Sequence, residues 1–206
     1  NGNITSWDVS SVTTLTQAFK GTAFNQDISG WTTTALTVAY ATFRSNDAFN
    51  QDISSWDMSS VTNIEYMFNS ADNFDQPLAD WDVSSVTTLK RTFKDATSFN
   101  QDLSAWDTSS VTNMYEAFEG ADNFDQSLAD WDIESVTDFT DFMKDVTLST
   151  ANYNATLIGW AAQEVVAELS PNFGSSKYTE GGDAEAARAE LIAAPNLWTI
   201  TDGGAA

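Results

Sequence analysis

The sequence contains no histidine and no cysteine. Without His there is no Ser-His-Asp or Cys-His relay, and none of the usual zinc or haem ligand sets. Without Cys there is no disulfide framework to report an oxidising compartment. Bases are scarce, with 8 Lys and Arg against 30 Asp and Glu and a net charge of -22. Such a surface repels phosphate backbones and anionic membranes, so nucleic acid is excluded as a partner; it suits a secreted protein, or one that attracts cations. No apolar run in these 206 residues is long enough to span a bilayer and no signal-peptide pattern is present, so no membrane insertion is expected.

What the chain has in abundance is aromatic residues, and they are periodic. Trp falls at positions 7, 31, 56, 81, 106 and 131, at steps of 24, 25, 25, 25 and 25. Phe19, Phe43, Phe68, Phe93 and Phe118 follow the first five Trp by twelve residues, and Met143 takes that place in the sixth unit. A second column holds Phe24, Phe49, Phe74, Phe99 and Phe124. Self-similarity at this period marks stacked supersecondary units, none of which buries its apolar face alone.

Within a unit, Val61, Ile64, Met67 and Phe68 are spaced as one face of a short helix. Thr62 and its equivalents Thr13, Thr37, Thr87, Thr112 and Thr137 stand where an N-cap is needed. The segment 51–56 reads as a short strand. The expected fold is an α/β solenoid, a right-handed, leucine-rich-repeat-like stack of short strand plus short helix units with a parallel sheet along one side. Six copies at a strand spacing of about 4.8 Å make a rod roughly 30 Å long. The first residues align with the middle of the repeated phrase, from Asn25 onwards, which reads as a fragment of a longer array. The period stops near residue 148. Beyond it, 150–163 and 184–194 read as helices, the second capped by Asp183, and 197–200 as a last short strand. The expected organisation is a six-unit repeat, 1–147, and a C-terminal cap, 148–206, in one structural domain.

The phrases WDMSSVTNIEYMF (56–68) and WDTSSVTNMYEAF (106–118), each followed by a short loop and F-[ND]-Q, resemble a bacterial surface-protein repeat of mid-twenties length, related to BspA-like leucine-rich-repeat proteins. The tail, with LIGWAAQ (157–163) and LWTITDGG (197–204), resembles the cap that ends such arrays. The second unit departs from the pattern, with Thr32 in place of Asp and Leu36 in place of Val. The resemblance implies a cell-surface or secreted, non-enzymatic module, engaged in adhesion or in binding a protein or glycan on a cell surface.

Several polar columns are candidate sites. Gln26, Gln51, Gln76, Gln101 and Gln126 are read as a structural ladder, amide stacked on amide, with Asn25, Asn50, Asp75, Asn100 and Asp125 in the same turn. Asp8, Asp57, Asp82, Asp107 and Asp132 follow the Trp column. Stacked carboxylates repel by about 1 kcal/mol per pair in water. Either each accepts backbone N–H groups in an Asx-turn, or Asp57, Asp82, Asp107 and Asp132 help to hold calcium, the one cofactor considered. Asp27, Asp52 and Asp102, with Ser54 and Ser104, lie on the face where stacked-repeat proteins bind partners, and are the ligand-face candidates. Lys20, Arg44, Lys94 and Lys144 are read as offsetting helix dipoles. Besides partner binding, a purely structural spacer and a carboxylate-paired glycosidase remain as readings. A glycosidase needs two acids in distinct environments, and the repeat makes the environments alike.

Overall fold

The computed structural model describes residues 2–206; Asn1, used above to align the first phrase, lies outside them. Successive units stack in register through single parallel β-bridges, Thr14 to Val38, Val38 to Asn63, Asn63 to Thr88, Thr88 to Asn113 and Asn113 to Asp138. These bridges fall in the segment whose spacing predicts a helix. The predicted strand 51–56 makes no bridge; it ends instead in a turn, with Trp56 N–H donating to the Ile53 carbonyl.

Among the described residues the only helices are α1 (Thr150–Ala161) and α2 (Asp183–Ile192), both outside the repeat. The reason is visible in the hydrogen bonds after each bridge. In the third unit the N–H groups of Tyr66, Phe68 and Ser70 donate to the carbonyls of Lys90, Thr92 and Lys94 in the next unit. The intervening N–H groups of Met67, Asn69 and Ala71 close turns three residues back. Such turns place apolar residues three and four apart, as a helix does, but every second N–H is committed to the neighbouring unit. The backbone therefore enters the left-handed region at two columns. One holds Gln17, Ala41, Tyr66, Arg91, Glu116 and Asp141; the other holds Ser45, Ser70, Asp95 and Asp145 beside Gly21 and Gly120. For a non-glycine residue that conformation costs about 1–2 kcal/mol. Inter-unit hydrogen bonds, worth about 1 kcal/mol each, and the buried rings offset it.

The core is made of columns. Phe43, Phe68, Phe93 and Phe118 stack nearly parallel at 5.2–5.8 Å, and the second Phe column does likewise at 5.8–6.3 Å. Trp106 stacks on Trp81 and on Trp131. Each internal Trp is also a backbone clamp. The indole N–H groups of Trp31, Trp56, Trp81, Trp106 and Trp131 donate to the carbonyls of Ile4, Ile28, Ile53, Leu78 and Leu103, one unit back, at 2.9–3.2 Å.

The Thr column is a ladder too. Thr37, Thr62, Thr87, Thr112 and Thr137 each donate both backbone N–H and hydroxyl to the preceding Thr carbonyl, so they cap no helix.

In the C-terminal region α1 takes over the Trp column, with the Trp160 indole N–H on the Leu128 carbonyl at 2.8 Å. Gly159 lets α1 sit on the chain, because a Cβ there would lie 2.3 Å from the Ala129 carbonyl oxygen. The parallel stacking ends here: Phe142 meets Phe118 edge-on at 86° and Phe139 at 82°, and Trp160, Phe173 and Trp198 fill the cluster at mixed angles. Asp183 is the first residue of α2 rather than its cap; Gly182 caps it without a side-chain bond. In place of a strand at 197–200, parallel bridges join Asn172 to Thr201 and Tyr178 to Ala205. Asp202 ties the region together by accepting from the Tyr153 hydroxyl at 2.6 Å and from Arg188 Nε at 2.7 Å. Burial, then the Asp202 bond, push the Tyr153 hydroxyl far up.

Candidate functional site

The acidic columns turn out to be self-contained. Asp8, Asp57, Asp82 and Asp107 each accept, through Oδ1, the N–H and the hydroxyl of the Ser two residues on. Asp132 accepts the Glu134 N–H. The exposed ligand-face candidates behave alike, with Asp27 on Ser29, Asp52 on the Ser54 N–H at 2.9 Å and Asp102 on the Ser104 N–H at 2.9 Å. These bonds hold the carboxyls of Asp8, Asp57 and Asp107 below their usual range, the Ser hydroxyl first and the Ser N–H second; for Asp52 and Asp102 the N–H comes first. Each acid faces its own turn, and among the described residues no three acids gather as a metal-binding group.

The Gln ladder has a different wiring from amide on amide. Gln51 and Gln76 Nε2 donate to Oδ1 of Asn25 and Asn50, and Gln101 and Gln126 to Oδ1 of Asp75 and Asn100. The same oxygens accept the N–H of Asn50, Asp75, Asn100 and Asp125. Gln26 reaches the Gly2 carbonyl instead. Two columns interlock, and Asn or Asp serves equally because only an oxygen acceptor is needed.

A second set of side chains, unpredicted as a site, lies in the turns just after the bridges. Arg91 donates to both Glu116 oxygens, at 2.7 and 3.0 Å, and to the Tyr66 hydroxyl at 3.0 Å. Lys94 joins Glu116 to Glu119, and Lys144 reaches Glu119 at 3.1 Å. Glu116 is 5% exposed. Burial pushes its carboxyl up, but the bonds from Arg91 and Lys94 outweigh this and hold it well below the usual carboxylate range. Around this network stand aromatic and cationic groups. Arg44 lies over the Tyr66 ring at 4.9 Å, Lys90 over Tyr115 at 5.6 Å, and Tyr40 meets Tyr66 edge-on at 5.6 Å.

The dipole reading of Lys20, Arg44, Lys94 and Lys144 therefore fails, because no helix ends there. Five of the eight basic residues, Arg44, Lys90, Arg91, Lys94 and Lys144, belong to this one strip. A sequence signal for it exists. The positions nine and ten after Trp read Tyr40, Glu65, Lys90, Tyr115, Thr140 and Ala41, Tyr66, Arg91, Glu116, Asp141, while the core columns around them repeat.

A family model described as "Mycoplasma protein of unknown function, DUF285" matches residues 1–96 and 37–160. The second match alone covers more than half of the chain, which therefore belongs to that family. No curated protein and no solved structure matches. The expected membership of a bacterial repeat family is thus met at the level of the family.

Proposed function

We propose that this family member is a non-enzymatic, cell-surface or secreted repeat module, a solenoid of the BspA-like leucine-rich-repeat kind, that binds a protein partner through the strip between Tyr40 and Tyr115. The observation that carries this reading is the contrast within each unit. The side chains of the core and turn columns recur, whereas those of the strip change from unit to unit. Repeat positions that vary from unit to unit and carry Tyr, Arg, Lys and Glu have the composition of an interface centre, where Tyr and Arg dominate binding energy. Arg44 and Lys90 rest on tyrosine rings and take part in no ion pair among the described residues, which leaves them available to a partner's carboxylates. The self-satisfied Asx-turns support a structural part for Asp27, Asp52 and Asp102, with the partner engaged elsewhere.

The test compares adhesion of the purified chain to bacterial and host cells for two triple variants. Arg44→Ala with Lys90→Ala and Tyr115→Ala is expected to abolish binding. Asp27→Asn with Asp52→Asn and Asp102→Asn is expected to leave it. Equal binding by both variants would remove the strip from the reading. A chain that adheres to neither cell type nor to a glycan array would favour a spacer. That second reading draws on one observation: Arg91, Lys94 and Lys144 are already paired within the chain.

A further inference from the structure

The repeat buries its large apolar side chains, whereas the C-terminal region leaves some of them in solvent. Beyond the first unit, the exposed large hydrophobics among the described residues are Ile158 at 44%, Ile192 at 40% and Leu197 at 50%. Ile158 stands on a groove of about 420 Å³ between α1 and α2, which pack against each other. α1 gives this groove Ile158, Ala161 and Ala162, and α2 gives it Asp183, Ala186 and Glu190. Each set has the spacing of one helix face. The lining is small and apolar except on α2, where the two acids stand two turns apart. Neither helix offers a base to balance them. α1 carries no charged residue, and Arg188, the one base of α2, is turned to Asp202 at 2.7 Å.

We infer that this groove, separate from the strip, docks a basic amphipathic helix of a partner protein. Both walls are helices whose backbone groups are already paired, so an extended segment would find no ladder to join. The occupant must satisfy its own backbone, and a helix does so. The alanines let a third helix approach closely, and Ile158 supplies apolar surface for its stripe to cover. Charge fixes the rest. Asp183 and Glu190 are seven residues apart on α2, or roughly 10 Å. Lys or Arg at the same spacing on the occupant would meet both acids. A second copy of this chain does not supply that pattern. Its α1 is uncharged, its α2 would set Asp183, Glu185 and Glu190 against these acids, and each copy carries a net charge of -22.

The test titrates the whole chain with a synthetic helical peptide of about four turns, carrying a leucine stripe and an Arg pair at that spacing. One control peptide has Glu for Arg, and another has the same composition in scrambled order. Amide NMR shifts centred on Ile158, Ala162 and Ala186 are expected with the first peptide alone. Ile158→Asp is expected to weaken binding roughly tenfold or more. Asp183→Asn with Glu190→Gln is expected to weaken it about two- to tenfold and to flatten its salt dependence. All three side chains are exposed, so the variants keep the fold, and the shifts of the rest of the chain report it. Arg44→Ala with Lys90→Ala, in the strip, is expected to leave peptide binding unchanged, which separates this site from that one. The inference is overturned if the scrambled or the Glu peptide binds as well, or if no shift appears at about 1 mM peptide. It is also overturned if the free chain self-associates through α1 and α2, making a second copy the occupant.

Discussion

The Glu116 carboxylate ties two neighbouring units of the stack together. Its two oxygens take Arg91 in a bidentate fork and Lys94 beside it, across one unit boundary. Glu116→Gln keeps the shape and the left-handed backbone, but removes the charge that two cations share. Removing one partner of a fully buried ion pair costs about 3–5 kcal/mol. Here Arg91 and Lys94 retain 30% and 22% side-chain exposure, and Lys94 keeps Glu119, so solvent lessens the loss. A cost of about 2–3 kcal/mol follows, or roughly 4–12 °C in Tm for a chain of this length.

The assay is thermal and urea unfolding of the chain and of Glu116→Gln across a pH series, with Arg91→Met closing a double-mutant cycle. The sign of the pH effect is fixed by the depressed carboxyl. Its contribution is complete above the unfolded carboxylate value near 4.3 and is lost as pH falls through the folded value. The gap between the two proteins must therefore be widest near neutrality and must narrow on acidification below about pH 4. A gap under about 0.5 kcal/mol at pH 7, or one that widens in acid, would refute the reasoning.

Two further outcomes separate packing from propensity. Gly159→Ala in α1 would gain about 1 kcal/mol from helix propensity alone. The 2.3 Å approach of its new Cβ to the Ala129 carbonyl instead predicts a net loss of about 1–3 kcal/mol, read as a lower urea midpoint; a rise would show that α1 is not seated as described. Gln17 is exposed at φ 57, so Gln17→Gly relieves the left-handed strain and is expected to stabilise by up to about 1 kcal/mol. A fall in Tm would place Gln17 outside that conformation.

The period, the core columns and the positions of both helices were legible because each rests on residue identity repeated at a fixed step. The path of the backbone between them was not. Val61, Ile64, Met67 and Phe68 have the spacing of a helix, and the competing arrangement uses hydrogen bonds to Lys90, Thr92 and Lys94 that no local pattern reveals. The Trp clamp was hidden for a similar reason, since its acceptor is a carbonyl and any residue supplies one. Gly159 reads as a weakness in a helix until the Ala129 carbonyl is seen beside it. The recurring acids, legible as a candidate site in the sequence, satisfy their own turns. The strip leaves no recurring signature because its residues change from unit to unit.

The proposed binding role, rather than a catalytic one, rests on the same contrast: Asp52 and Asp102 sit in matching turns, whereas hydrolysis of a glycosidic bond uses an acid and a base in distinct environments. Distinct side-chain environments arise where the repeat is broken. It is broken at Tyr66, Arg91, Glu116 and Lys94, where burial, charge and aromatic faces differ from unit to unit. There the titratable acid is locked by two cations, a poor state for proton transfer but a rigid frame for the tyrosines and for Arg44 and Lys90. Rigid aromatic and cationic side chains lose little entropy when a partner docks, which is what an interface needs and a general acid does not. The strip is accordingly the place to substitute first when binding is assayed.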